Sequence, residues 1–215
     1  MSPEAFVLQN TAVSTPSLVP EIKLHLASDA LPLWHKTEEE LSESGLPPPF
    51  WAFAWAGGQA LARYVLEHRA RFCGKRLLDL GAGSGLGGIA AAMVGATVEA
   101  NEVDRFALAA IALNARLNAV SVALRDGDLL SSTSDHDWVL VGDMFYERAL
   151  AERTLAFLQK SAAAGALVLI GDPSRTYLPA DDLTALATYT VPTPRALEDA
   201  DVKKTTVFTL QPHDQ

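Results

Sequence analysis

The chain has 215 residues, enough for one ordinary domain with little room for a second core. Hydrophobic residues at 49 % against 20 % charged can bury a core, which excludes an intrinsically disordered chain. Seventeen basic against 26 acidic residues leave a net charge of −9. That balance weighs against nucleic acid, whose phosphates call for a basic face, and fits a basic protein segment or a cationic ligand better.

A single cysteine, Cys73, excludes an intramolecular disulfide and reads as a buried structural thiol. No apolar run approaches the ~20 residues of a membrane span. The N-terminus has no charged stretch leading into an apolar one, and the first arginine is Arg63, unlike an Arg-rich transit peptide. The expectation is a cytoplasmic protein with no membrane contact. The five histidines are scattered and no Cys/His spacing suggests zinc, so no metal site is expected.

In chain order, residues 1–20 are rich in Ser, Thr and Pro and are expected to be irregular. Pro32–Leu46 has the composition of a short helix, stopped by Pro47-Pro48-Pro49. An aromatic segment, FWAFAW (Phe50–Trp55), precedes Gly57-Gly58. Gln59–Arg71 then carries Leu61, Val65 and Leu66 at helical spacing. Of the aromatics in this region, Trp34, Phe50, Trp51 and Phe53 suit packing better than substrate contact.

Arg76–Leu80 reads as a short buried strand, Gly87–Val94 as a helix packed closely on a sheet, and Thr97–Glu102 as a second strand. Asp104 suits an N-cap for a helix to about Asn118. Further strands are expected at Val120–Leu124, Trp138–Val141 and Ala166–Ile170, with a helix at Glu147–Ala163. Asp181–Ala187 reads as a short helix before strands near Thr188–Val191 and Thr205–Leu210. The alternation indicates an α/β fold with a largely parallel sheet. The last two strands lack room for a helical crossover and are expected to pair antiparallel.

The first strand ends LLDLGAGSG, Leu77–Gly85. Gly81, Gly83 and Gly85 allow a sharp turn and close approach to a ligand, and in open α/β sheets ligands bind beyond the carboxyl ends of strands. Gly83-x-Gly85-x-x-Gly88 also matches the dinucleotide pattern. Asp79 argues against a pyrophosphate there, since like charges repel. It favours a ligand with an ammonium group, such as the methionine part of S-adenosylmethionine. Glu102, 23 residues later, is placed to accept from ribose hydroxyls. Asp128 is placed to accept from an adenine amino group, although a plain turn role stays open for it.

The fourth strand ends VLVGDMFYE, Val139–Glu147. Asp143 and Tyr146 are placed to flank an incoming nucleophile. A helix N-cap and a packing tyrosine would use the same residue types, and chemistry alone leaves both readings open.

GDMFYE resembles the DxxY-type signature of the family 16 protein methyltransferases, and more closely of those that methylate lysine in the electron transfer flavoprotein beta subunit. The likeness also rests on VPEIKLHL (Val19–Leu26), PFWAFAWAGGQALARY (Pro49–Tyr64), IGDPSR (Ile170–Arg175), and the C-terminal Leu197-Glu198 with KKTTVFTL (Lys203–Leu210). It runs from about residue 19 to 212, implying one methyltransferase domain over residues 21–212. The resemblance implies a Rossmann-like, seven-stranded class I methyltransferase sheet with helices on both faces. It also implies S-adenosylmethionine as cofactor, lysine Nε-methylation, and the flavoprotein beta subunit as protein substrate. Asp79, Gly81, Gly83 and Gly85 match the cofactor loop and Glu102 the ribose acid. Gly142 falls beside the cofactor, Asp143 and Tyr146 match the DxxY pair, and Trp55 matches a cofactor-proximal Trp. The chain departs from the pattern at Ala56, where Pro is frequent, and at Glu102, where Asp is common. Alternatives are methylation of another protein, such as a ribosomal one, or of a small molecule. A non-catalytic binding module and an NAD-dependent enzyme fit less well.

Overall fold

A computed structural model describes residues 1–27, 48–192 and 202–210. The expected helix at Pro32–Leu46, with Trp34, lies outside the described residues, as does the Leu197-Glu198 pair.

The chain opens with α1 (Pro3–Asn10), β1 (Ala12–Ser14) and β2 (Leu24–Leu26). α1 and β1 stand where residues 1–20 were expected to be irregular. Ser2 caps α1 by accepting from the Ala5 N–H, Pro3 sits where its missing N–H is harmless, and Val7 is fully buried. β1 and β2 form a small antiparallel pair.

A 3₁₀ turn (Phe50–Ala52) leads into α2 (Ala56–Glu67) and a single turn, α3 (Arg69–Phe72). Gly57 and Gly58 therefore lie inside the first turn of α2, not ahead of it. There follow β3 (Arg76–Leu80), α4 (Leu86–Met93), β4 (Thr97–Glu102) and α5 (Arg105–Leu117), whose N-cap is Asp104 as expected. β5 (Ala123–Asp126), β6 (Trp138–Gly142), α6 (Arg148–Ala163), β7 (Leu167–Asp172), β8 (Leu183–Pro192) and β9 (Val202–Leu210) complete the described elements.

The large sheet has seven strands in the order β5-β4-β3-β6-β7-β9-β8. β3 to β7 pair in parallel, and β9 pairs antiparallel with both β7 and β8. Two expectations shift. The third strand is Ala123–Asp126, because it pairs residue by residue with Glu99–Glu102 of β4. Residues 183–187 are strand and not helix, because β8 zips along β9 from Leu183↔Leu210 to Pro192↔Val202.

Strand alternation sorts the core into two layers. Leu77, Trp138, Leu140 and Leu169 face the layer with Leu61, Val65 and Ile89 of α2 and α4. Leu78, Leu80, Val139, Val141, Val168 and Ile170 face Phe157 and Leu158 of α6 on the other side. Asp79 shares its parity with Leu77, so it points under α4. Cys73 is exposed, against the expected buried thiol. It sits in the turn between α3 and β3 at the edge of the core.

Candidate active site

The parallel strands end together around a cleft of about 560 Å³ at their carboxyl side. Leu80, Gly81 and Gly83 line it from β3 and its loop, Asn101 and Glu102 from β4, and Gly142, Asp143, Met144 and Tyr146 from the β6 end. A narrow recess of about 50 Å³ adjoins it, sharing Trp55, Gly81, Gly83, Gly142 and Asp143 and adding Asp79 and Gly58. This is the switch point where the sheet continues in opposite directions from β3, to β4 on one side and to β6 on the other.

Gly81 and Gly83 stand at φ +62° and +54°, conformations that would strain other residues. The turn exposes backbone N–H groups, and the Gly83 N–H donates to Glu102 Oε1 at 2.8 Å. Glu102 Oε2 accepts from the Val103 N–H at 3.0 Å. Burial pushes the Glu102 carboxyl up, and these two bonds oppose that. Asp79 is 4 % exposed and accepts from the Gly88 N–H at 2.6 Å. Its burial pushes the carboxyl up to about 7, so the acid is poised between charged and neutral near neutral pH.

Asp143 is held from three directions. Its backbone stands at φ +58° and its N–H donates to the Gly171 carbonyl at 3.0 Å. Oδ2 accepts from the Gly58 N–H at the start of α2, at 3.1 Å. Oδ1 accepts from both Nε (3.0 Å) and Nη2 (2.6 Å) of Arg175. Burial pushes the Asp143 carboxyl up, and the Arg175 guanidinium pulls it back toward the charged form. Tyr146 is 47 % exposed at the mouth, its ring 5.8 Å from that of Phe50. Trp55 donates its indole N–H to the Phe50 carbonyl at 2.8 Å, and the Arg175 guanidinium lies 5.6 Å from its ring centre.

Of the residues expected at the site, Trp55, Asp79, Gly81, Gly83, Glu102, Asp128, Gly142, Asp143 and Tyr146 all line the cleft or its recess. Gly85 does not. It stands at φ +79° as the N-cap of α4, and a Cβ there would meet Ile111 at 3.1 Å. Its part is to start the helix. Asp128 is at the rim and is engaged elsewhere, accepting from the Leu130 N–H at 2.9 Å and pairing with Arg153. Arg175 was not singled out in the sequence, although IGDPSR contains it. Nothing local in that motif says that its guanidinium reaches Asp143, 32 residues back. Phe50, expected in packing, is 43 % exposed and lines the cleft; Trp51 and Phe53 are buried in packing but also border the cleft and its recess, respectively.

The fold resembles magnesium protoporphyrin IX methyltransferase from Synechocystis PCC 6803, solved with bound S-adenosylmethionine. The TM-score is 0.54 at 15 % identity, over 72 % of this chain and 80 % of that one. The family model for ribosomal protein L11 methyltransferase (PrmA) matches residues 59–143. A ribosomal protein L11 methyltransferase from Bacillus pumilus is 37 % identical over 92 residues, 41 % of this chain and 28 % of its own length. The electron transfer flavoprotein beta subunit lysine methyltransferase of Mus musculus is 37 % identical over 218 residues, covering 97 % of this chain and 84 % of its own. The homologue from Caenorhabditis elegans is 38 % identical over 192 residues, 79 % of this chain and 76 % of its own. The chain belongs to the family of electron transfer flavoprotein beta subunit lysine methyltransferases. It is thus a protein-lysine N-methyltransferase that uses S-adenosylmethionine.

The cleft of this lysine methyltransferase fits that cofactor. The narrow recess carries the Asp79 carboxyl, which suits a cationic head, whereas the Asp143 carboxylate at its edge is already paired with Arg175. The wide part sets Glu102 among Val103, Ala107, Leu129 and Leu130, an acceptor for hydroxyls within apolar walls that suit a purine.

Proposed function

We propose that this methyltransferase modifies a lysine of the electron transfer flavoprotein beta subunit, with Asp143 and Tyr146 receiving that lysine at the cleft mouth. The carrying observation is the extent of the likeness. The relatives named for that substrate match almost the whole chain, whereas the ribosomal L11 match ends at Asp143. Everything beyond Asp143, including Tyr146 and Arg175, is outside that matched stretch.

When bound, S-adenosylmethionine supplies the electrophile, a sulfonium methyl whose bond electrons return to sulfur. Asp79 and Glu102 are assigned to hold the cofactor's ammonium and ribose, and Trp55, Gly81, Gly83 and Gly142 to wall it. Asp128 has the weakest claim, since Arg153 already engages its carboxylate. The acceptor lysine must enter as the free amine, its proton lost to solvent, because only a neutral nitrogen has the lone pair that forms the N–C bond. Its ordinary pKa of about 10.4 opposes this, and burial in the cleft favours it. Asp143 orients the amine by accepting one of its hydrogens. Tyr146 and Phe50 form an aromatic rim against its methylene stem. Alignment of this kind supplies much of the rate in well-oriented reactions.

Incubation with labelled cofactor and purified flavoprotein beta subunit, followed by mapping of the label, tests the substrate. Label on one or more lysines of that subunit is expected. Label on another protein in extract, with none on the subunit, would overturn the reading. Asp143→Ala is expected to lower turnover by about 100-fold or more while leaving S-adenosylhomocysteine binding intact. Unchanged turnover would remove Asp143 from the role.

A further inference from the structure

Asp143 faces two opposed demands. It must offer an acceptor to the lysine amine, yet a bare carboxylate beside a lysine favours the ammonium form, which cannot attack. The structure holds a residue that meets both demands. Arg175 places Nε and Nη2 on the same oxygen, Oδ1, while Oδ2 is held by the Gly58 N–H. The two side chains are only 19 % and 10 % exposed, so water screens the pair weakly. Arg175 is itself anchored. Its backbone N–H donates to Asp172 Oδ1 at 2.7 Å, and its guanidinium lies against the face of Trp55. A guanidinium stays charged at any working pH, so the partner charge does not titrate away.

We propose that Arg175 is a positioning residue for methyl transfer: it fixes the Asp143 carboxylate and cancels its charge, so that Asp143 orients the acceptor lysine without holding it as an ammonium ion. The inference rests on the assignment of Asp143 to the acceptor amine. Among the described residues, the groups that bear on Asp143 come from four places. Asp172 and Arg175 come from the end of β7 and its loop, and the Gly57 and Gly58 N–H groups from α2. Asp79 from β3 shares the recess, and Tyr146 is on the same turn. Arg175 is the cation in this set. Removing it leaves a buried carboxyl beside Asp172, with two consequences of the same sign. Asp143 takes up a proton more readily, and when ionised it holds the lysine proton more tightly. Both move the acid limb of the reaction to higher pH.

The test compares wild type, Arg175→Met and Arg175→Lys. The Asp143 carboxyl is followed by carbon NMR in the free protein, with its signal assigned through Asp143→Asn. In Arg175→Met the titration midpoint is expected to rise by about 1 unit or more, and in Arg175→Lys to return toward wild type. The acid limb of kcat on the flavoprotein beta subunit is expected to move the same way. Arg175→Lys keeps the charge, so it answers the question even if Arg175→Met folds poorly, and S-adenosylhomocysteine calorimetry reports that each variant is folded. A midpoint unmoved in Arg175→Met, or an acid limb shifted as far in Arg175→Lys as in Arg175→Met, would overturn the proposal and leave the role of Asp143 intact. Full turnover in Asp143→Ala would overturn both.

Discussion

Asp79 has a carboxyl that burial pushes up to about 7, against an ordinary value near 3.8. A cationic head seated in the recess favours the ionised form, so binding is expected to expel a proton at and below neutral pH. The affinity for S-adenosylhomocysteine, which keeps the ammonium group, is therefore expected to fall toward about tenfold per pH unit below 7 and to level off above it. Calorimetry from pH 5.5 to 8.5 reads this directly. Asp79→Asn keeps an acceptor for the Gly88 N–H but no charge, and its weaker affinity should be flat across that range. A wild-type affinity equally flat would remove Asp79 from the ammonium site. The same residue acts on stability with the opposite slope. Its folded-state pKa lies above the unfolded value, so between about pH 4 and 7 the native protein binds more protons than the unfolded chain. Stability from this group is present below that window and lost as pH rises through it. Asp79→Asn should accordingly gain in melting temperature over wild type as pH rises from 4 to 7. A constant difference would contradict the raised value.

At the scale of elements, the site depends on how closely α2 approaches the ends of β6 and β7. A Cβ on Gly57 would lie 2.1 Å from the Gly171 carbonyl oxygen and 2.5 Å from Asp143 Oδ2. Neither neighbour is a flexible side-chain end free to swing away, since one is backbone and the other is pinned by Arg175. Gly57→Ala should therefore push the helix start off the strand ends and lengthen the Gly58–Asp143 bond. The expected result is a loss of about 1–3 kcal/mol in stability and a fall in kcat larger than any change in S-adenosylhomocysteine affinity. Denaturant melts and steady-state kinetics check the two parts, and an unimpaired kcat would contradict the coupling.

What the sequence discloses at this scale divides by range. Elements with their own signal read well, such as the buried strand Arg76–Leu80 and the helix capped by Asp104. The sequence pattern places β5 three residues early because all four of its residues are exposed, so burial leaves no pattern, and its register is set by β4. Residues 183–187 carry a local helical look that pairing with β9 overrides. The site divides the same way. Glycines and acids at strand ends announce themselves through spacing. Arg175 acts through a contact across 32 residues, and the inward role of Gly57 exists only because Gly171 faces it. No window along the chain contains either fact.

At the scale of the molecule, the N-terminal residues support a wall of the cleft from outside. Phe6 of α1 packs at a tilt against Phe106 of α5, ring centres 4.7 Å apart, and meets Trp51 edge-on at 6.5 Å. Val7 is fully buried in the same cluster as Trp51, Phe53 and Ala107. Trp51, Asp104 and Ala107 line the cleft on the side of Glu102 and Val103. The Glu4–Arg116 pair that also joins α1 to α5 is exposed and adds little. Holding α1 in place is thus chiefly a matter of the fully buried Val7, worth roughly 1.5–3 kcal/mol, with a smaller share from the half-buried Phe6. A chain lacking residues 1–10 should lose roughly 2–5 kcal/mol of stability, which for a protein of this size means roughly 4–20 °C in melting temperature. If the wall is also what sets the cleft's shape, S-adenosylhomocysteine affinity must fall with it, even at temperatures where the shortened protein stays folded. Asp143 and Arg175 lie across the cleft, on the β6 and β7 side, so turnover at saturating cofactor should change less than affinity does. A shortened protein that melts as wild type would show that α1 only rests on the surface. One that melts lower yet binds S-adenosylhomocysteine unchanged would show that the aromatic cluster stabilises the fold without shaping the cleft.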